Sequence, residues 1–251
     1  MIVKQNKNIE KEVKFKIDSK LAKSQLEDFL KKLGLVAKEQ IFQKDVYWDN
    51  RTCDIINLKR GLRIRYISNK IKDVEFKSLF NKMNGQYVVE EIKLFKENML
   101  DVSALKEILV TRLEICELKD FDNDNSNSPE IYLSKLGLKP VVILEKERSL
   151  WVDKNNEIEV SVDIVTDLGT FVEIEQVDNS NRIYDEIVKK FEESIFATQD
   201  STHGGYLDFI LNKNSKITSK SEFENKFVKD SMWNVKPNEK NIFLSLTYSN
   251  V

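Results

Sequence analysis

The sequence predicts an α+β fold: antiparallel β-strands carrying helices against their apolar side. Three observations point there. Segments that alternate apolar and polar residues recur along the chain, as strands with two different faces do. Stretches at helical spacing interrupt them and end at glycine. Tight turns separate the later strands, as antiparallel pairing requires.

Each element can be read in order. Ile9 to Ile17 sets Ile9, Val13, Phe15 and Ile17 on one face and Glu10, Glu12, Lys14 and Lys16 on the other, with Lys11 the exception. Asp18 and Ser19 are candidate N-caps for a helix carrying Leu21, Leu26, Phe29, Leu30 and Leu33, closed by Gly34. Strands are expected over Ile41–Trp48, Leu62–Tyr66, Val74–Leu79 and, after a turn at Asn81–Gly85, Val88–Phe95. A helical stretch follows from Val102 to about Leu118, then a polar loop, Asp120–Glu130, and a short helix over Ile131–Leu136. Val141–Trp151, Glu157–Val165 and Phe171–Val177 read as strands, and Arg182–Ile195 as a helix burying Ile183, Ile187 and Phe191. Residues 212–251 are polar, then amphipathic, and end in a candidate edge strand, Ile242–Tyr248.

One echo stands out. Leu33-Gly34-Leu35 precedes a strand with a charged face and Trp48, and Leu136-Gly137-Leu138 precedes another with a charged face and Trp151. A two-lobed, pseudo-symmetric β structure fits it.

Composition removes several classes. The 251 residues can bury a real core. Lys plus Arg is 40 and Asp plus Glu is 42, so no basic excess marks general nucleic-acid binding. Cys53 and Cys116 are far apart and suggest neither a disulfide framework nor a zinc site. His203 is the one histidine and would have to be the sole base of a Ser-His-Asp or Cys-His centre; beside Gly204 and Gly205 it reads as a loop residue. No apolar run reaches membrane-spanning length and Met1–Glu12 lacks a signal-peptide core, so a cytoplasmic protein with no membrane partner is expected.

The strands share a second property. Leu62, Ile64 and Tyr66 oppose Arg63 and Arg65; Val74 and Phe76 oppose Glu75 and Lys77; Ile158, Val160, Val162 and Ile164 oppose Glu157, Glu159, Ser161 and Asp163. An ordinary sheet with one face in water explains this. So does a closed barrel whose charged faces point inward and whose apolar faces lie under helices. Such an interior needs its charges paired, solvated or met by a ligand. Carboxylates holding a metal and Lys and Arg holding phosphate would meet that need.

The charged faces form an ordered series: Glu10-x-Glu12-x-Lys14, Gln43-x-Asp45-x-Tyr47-x-Asp49, Gly61-Leu62-Arg63-Ile64-Arg65, Phe76-Lys77, Lys146-x-Arg148, Asp163, and Leu168-Gly169-Thr170-Phe171-Val172-Glu173-Ile174-Glu175. In this order they resemble the CYTH superfamily, the triphosphate tunnel metalloenzymes, and within it the class IV adenylyl cyclase-like branch. The resemblance runs from about Ile9 to Leu211 and includes Gly205-Tyr206-Leu207. It implies a closed eight-stranded antiparallel tunnel with helices outside, over residues 1–211, with the polar loop as an insertion and 212–251 as an extension without an assigned role. It implies a triphosphate-containing ligand and Mg²⁺ or Mn²⁺ as cofactor, and leaves a homodimer open. By resemblance, Glu10, Glu12, Asp163, Glu173 and Glu175 are metal-binding acids; Asp163 reads alternatively as a brace for a lysine. Lys14, Arg63, Arg65, Lys77, Lys146 and Arg148 are phosphate-binding residues, and Glu10, Glu12 and Lys14 are catalytic. Asp45, Tyr47 and Asp49 are expected to be structural or to support the residues that touch the ligand, and Trp48 and Trp151 to pack under outer helices. The family's Arg-x-Glu-x-Glu on the fifth strand is here Val89-x-Glu91-x-Lys93, a departure.

The chemistry suits these residue types. Hard carboxylate oxygens favour Mg²⁺ or Mn²⁺ over zinc, and phosphoryl transfer needs positioning and charge stabilisation more than a nucleophilic side chain. The leading reading is a metal-dependent phosphohydrolase of tripolyphosphate or a nucleoside triphosphate. The alternatives are a class IV-type adenylyl cyclase, in which the ribose hydroxyl attacks the α-phosphate, and a binder of a phosphorylated nucleotide without turnover.

Overall fold

The computed structural model describes residues 7–196, except positions 19, 21, 59, 84–85, 97–98, 114–127 and 178–180, and describes Tyr206 beyond them. At residues 7–10, 79–83, 86–89, 96, 112 and 181–182 it describes the backbone alone. Cys116, His203, residues 120–127 of the polar loop and the 212–251 extension lie outside the described residues. Among the described residues no helix is long and apolar enough to cross a membrane.

Strand β1 (Lys7–Lys16) leads through helix α1 (Lys23–Lys32) into the long strand β2 (Val36–Asp49). The short helix α2 (Asp54–Asn57) precedes β3 (Arg60–Ile67), β4 (Lys70–Met83) and β5 (Gln86–Lys93). A small hairpin, β6 (Phe95–Lys96) and β7 (Met99–Leu100), joins these to α3 (Val102–Glu107), which widens into a π-type turn over Ile108–Arg112. Helix α4 (Pro129–Lys135) leads to β8 (Lys139–Val152), β9 (Ile158–Val165), β10 (Gly169–Gln176) and α5 (Asn181–Glu192).

The eight long strands form one curled antiparallel sheet in the order β1-β10-β9-β8-β2-β3-β4-β5. Strand β1 pairs with β10 along one edge and with β5 along the other. The apolar faces point outward and are covered in two patches. Val46, Leu62, Ile64, Val74, Phe76 and Ile92 pack under Leu105, Ile108 and Leu109, with Tyr132 and Leu133 of α4 in the same cluster. Val13, Phe15, Val160, Val162, Val172 and Ile174 pack with Leu26 and Leu30 of α1 and with Tyr184, Ile187 and Phe191 of α5. Trp48 belongs to the first patch and Trp151 to the second, as expected of packing residues.

The Leu-Gly-Leu echo is structural. Gly34 and Gly137 sit at φ of +82° and +85°, a conformation that L side chains adopt rarely. In each case the glycine N–H donates to a carbonyl three residues back, and the following leucine N–H to one five back: Leu35 to Leu30 and Leu138 to Leu133. These are matching Schellman ends. They feed β2 and β8, which pair antiparallel from Val36↔Val152 to Asp49↔Lys139.

Several sequence boundaries move. Helix α1 starts at Lys23, because the Gln25 side chain accepts from the Ala22 N–H, while the expected cap Asp18 accepts from the Lys20 N–H. The turn expected at Asn81–Gly85 is shorter, since β4 pairs with β5 as far as Met83↔Gln86. Helix α4 begins earlier than expected, at Pro129, with Ser128 accepting from the Ile131 N–H. Helix α2 is too short to register as a periodicity. It is held by Asp49, whose carboxylate accepts from the N–H groups of Ile55 and Ile56.

Burial pushes the Asp49 carboxyl up to about 6, against the pull of those N–H donors. A raised carboxyl contributes stability that is fully present below its ordinary value and is lost as pH rises through about 6. Urea unfolding across that window should therefore show a smaller fall in stability for Asp49→Asn than for the unmodified protein; equal slopes would contradict this account.

Candidate functional site

Alternation along each strand turns the charged faces inward, and the register sets opposite charges beside each other. Lys14 lies across from Glu173, Arg148 from Asp163, Arg65 from Asp45, Arg63 from Glu75, and Lys77 from Glu91. Directly opposed charges of opposite sign stabilise a sheet pair. Here they also make burial of the charges tolerable.

One group spans β2, β3 and β4. Arg63 Nε donates to Glu75 Oε2 at 2.7 Å and Arg63 Nη1 to Asp45 Oδ2 at 3.1 Å. Arg65 Nε donates to Asp45 Oδ1 at 2.9 Å and Arg65 Nη1 to Glu75 Oε1 at 3.2 Å. Gln43 Nε2 donates to both Asp45 oxygens. Burial opposes ionisation of Asp45, but Arg65 and Arg63 outweigh it and hold the carboxyl well below the usual range. Asp45 thus holds Arg63 and Arg65 in place. Gly61 lies against the Tyr47 ring, where an added Cβ would come within 3.3 Å.

The second group spans β8, β9, β10 and β1. Lys146 Nζ donates to Asp163 Oδ2 at 2.8 Å, and Arg148 grips both Asp163 oxygens at 2.7 Å. Arg148 Nη2 also reaches Glu173 Oε2 at 3.0 Å, and Lys14 Nζ lies 3.4 Å from the same oxygen. Burial favours the neutral carboxyls, yet Lys146 and Arg148 hold Asp163 down at about 2, and Lys14 and Arg148 pull Glu173 well below its ordinary value. Lys146 is pushed down to about 7, chiefly by its own burial and then by the Arg148 charge.

Between the groups, Lys77 Nζ lies 2.8 Å from Glu91 and 3.8 Å from Glu12 Oε2, and Lys14 Nζ lies 4.0 Å from Glu12 Oε1. Glu12 Oε2 is buried and makes no hydrogen bond. Glu175 stands across from Glu12 in the β1–β10 register. Glu10 lies two residues before Glu12 on β1 and faces Val89 of β5 in register, with its side chain outside the described residues. Among the described residues no group of three or more acidic, histidine or cysteine side chains is drawn together as a metal cage.

The structure brings Glu12, Lys14, Arg63, Arg65, Lys77, Lys146, Arg148, Asp163 and Glu173 to one network of charged side chains. Glu175 is half-buried and Lys16 exposed. Sequence reading left Glu75 without a role, although it shares the charged face of Lys77. The altered fifth-strand motif keeps Glu91 buried and paired with Lys77, while Lys93 is exposed, 3.5 Å from Glu91. Tyr206 was legible only through the Gly205-Tyr206-Leu207 resemblance. Its hydroxyl donates to Asp163 Oδ2, and its ring lies 4.4 Å from Lys14 Nζ and 4.7 Å from Lys146 Nζ.

Together the curled antiparallel sheet and its ion-paired concave face define a β protein with a polar, charge-lined interior. The chain belongs to the CYTH domain family, which it matches over residues 8–206. It is 27% identical over 186 residues to a candidate adenylate cyclase of Methanocaldococcus jannaschii, covering 72% of this chain and 86% of that protein. Two solved structures share the fold. A candidate adenylate cyclase of Vibrio parahaemolyticus superposes with a TM-score of 0.53 at 14% identity, covering 81% of this chain and 98% of that one. A candidate adenylyl cyclase of Hippeastrum, described as having a dominant triphosphatase activity, superposes with a TM-score of 0.51 at 18% identity, covering 81% and 96%.

Asp45 is wholly buried and shared by two arginines. Asp45→Ala should cost about 3–5 kcal/mol in denaturant unfolding, because the arginine charges lose their buried partner. A loss under about 1 kcal/mol would mean the pairing contributes little.

Proposed function

We infer that this chain binds a triphosphate, as tripolyphosphate or as part of a nucleoside triphosphate, inside a closed tunnel and hydrolyses it with a divalent metal. The observation that carries this reading is the convergence of Lys14 from β1 and Lys146 and Arg148 from β8 on Asp163 and Glu173. Phosphate oxygens can take over donors that Glu173 now occupies, in charge-assisted bonds of the same kind. The pairing of β1 with both β5 and β10 supports the tunnel. Membership of the CYTH family and the dominant triphosphatase activity of the Hippeastrum protein support hydrolysis.

The donor chemistry fits a hard divalent cation. A buried carboxylate oxygen without a hydrogen bond, Glu12 Oε2, is a ready ligand for Mg²⁺ or Mn²⁺. Glu12 would hold the ion with Glu10 and Glu175, joined by Glu173 once phosphate has taken its cations. Such an ion supplies Lewis-acid polarisation and a more acidic water. Asp163, expected among the metal ligands, has both oxygens engaged by Lys146, Arg148 and Tyr206. That favours a bracing role for it.

The chain's own residues do the positioning. Lys14, Lys146 and Arg148 grip one part of the triphosphate, and Lys77, Arg63 and Arg65 complete the row of positive charge. Their carboxylate partners fix each cation before the ligand arrives, so little reorganisation is needed as charge develops on the leaving group. The cyclase reading draws on the relative from Methanocaldococcus and uses the same phosphate grip with the ribose hydroxyl in place of water.

Product analysis separates the readings. Tripolyphosphate and ATP, each incubated with Mg²⁺ or Mn²⁺, should yield orthophosphate with pyrophosphate or ADP. Cyclic AMP with pyrophosphate would establish the cyclase, and no product despite metal-dependent binding would make the chain a binder. Glu12→Gln should lower turnover at least about 100-fold with the fold retained by circular dichroism; turnover near that of the unmodified protein would sink the assignment of Glu12.

A further inference from the structure

The interior face of β10 changes character at one end. Glu173 is followed, two residues back along the strand, by Phe171, which is fully buried and lies across from Lys16 on β1 and Asp163 on β9. Tyr206, from beyond α5, packs edge-on against that ring, with centroids 5.2 Å apart. Only 5% of Tyr206 is exposed. Its hydroxyl is fixed by Asp163, the acid that also orients Lys146 and Arg148. Its ring stands against the ammonium groups of both Lys14 and Lys146. The exposed Lys16 has its Nζ 5.9 Å from the Phe171 ring.

Two of the cations assigned to phosphate therefore end on an aromatic surface. A ring face accommodates an ammonium group but offers a phosphate ester neither hydrogen bonds nor counter-charge. The choice of a phenol matters as well. A carboxylate at the same place would add a negative charge beside the lysines, whereas Tyr206 satisfies Asp163 without placing one against Lys14 and Lys146.

We propose that Tyr206, backed by Phe171, is a specificity-determining residue that makes this end of the interior blind, so that the site accepts triphosphates with an unsubstituted terminal phosphate and rejects those esterified at both ends. This rests on the triphosphate reading above. A free terminal phosphate held by Lys14 and Lys146 abuts the ring, whereas a second nucleoside would have to occupy the volume of Tyr206.

Calorimetric titration with Mg²⁺ tests this with three probes: tripolyphosphate, with both ends free; the β,γ-methylene analogue of ATP, with one; and diadenosine triphosphate, with none. The unmodified protein should bind the first two at least about tenfold more tightly than the third, and Tyr206→Phe should keep that ratio. Tyr206→Gly should tighten diadenosine triphosphate relative to the ATP analogue by about fivefold or more. Equal affinity of the unmodified protein for the ATP analogue and diadenosine triphosphate overturns the proposal without needing any variant. So does a Tyr206→Gly protein that weakens on both in the same proportion, which is the outcome of a purely structural role. Failure of the unmodified protein to bind tripolyphosphate at all overturns the triphosphate reading itself, and this inference with it.

Discussion

The fold depends on the neutralisation of charge by register. Taking a lone carboxylate or guanidinium out of water costs several kcal/mol even after relaxation. This interior holds Asp45, Glu75, Glu91, Asp163 and Glu173 against Arg63, Arg65, Lys77, Lys146, Arg148 and Lys14. Because side chains alternate with a period of two, a one-residue slip of any strand would expel its charges and bring apolar residues inward. Pairings such as Arg63↔Glu75 and Lys14↔Glu173 therefore select the register as much as they are produced by it.

The outer surface is the counterpart of that constraint. A sheet that spends its inner face on charge must bury its outer face to fold, and two helical patches do so. The matched Schellman ends after α1 and α4 turn the chain directly into β2 and β8, whose mutual pairing joins the two lobes. The proposed function draws on the same arrangement: carboxylates hold the cations in position, and on the triphosphate reading a polyanion would take the place of those carboxylates. Glu12, whose Oε2 lacks a hydrogen bond, stands where the pairing is incomplete.

Much of this was legible in the sequence, for identifiable reasons. Strands β3 and β9 alternate strictly over Leu62–Tyr66 and Ile158–Ile164, so their existence and their charged faces could be read directly. The identity of inner and outer faces could not, because one-sided exposure to water and an inward charged lining give the same pattern. The ordered series of motifs tipped that choice. What escaped depended on tertiary contact. Helix α2 exists because Asp49 reaches residues six and seven positions on. Glu75 gained its role only from its register with Arg63. Tyr206 lies far along the chain from Lys14 and meets it through the fold alone. For Asp163 the sequence offered both a metal ligand, by resemblance, and a brace for a lysine; which of its neighbours engage it depends on which strands are adjacent.

The most direct test of the central claim is the shift in thermal stability produced by tripolyphosphate, with and without Mg²⁺. If the interior exchanges its carboxylate partners for phosphate and metal, the two together should raise the midpoint well beyond the sum of each alone, by an amount that grows with ligand concentration. Simple addition of the two effects, or an equal shift from sulfate at the same ionic strength, would contradict the account.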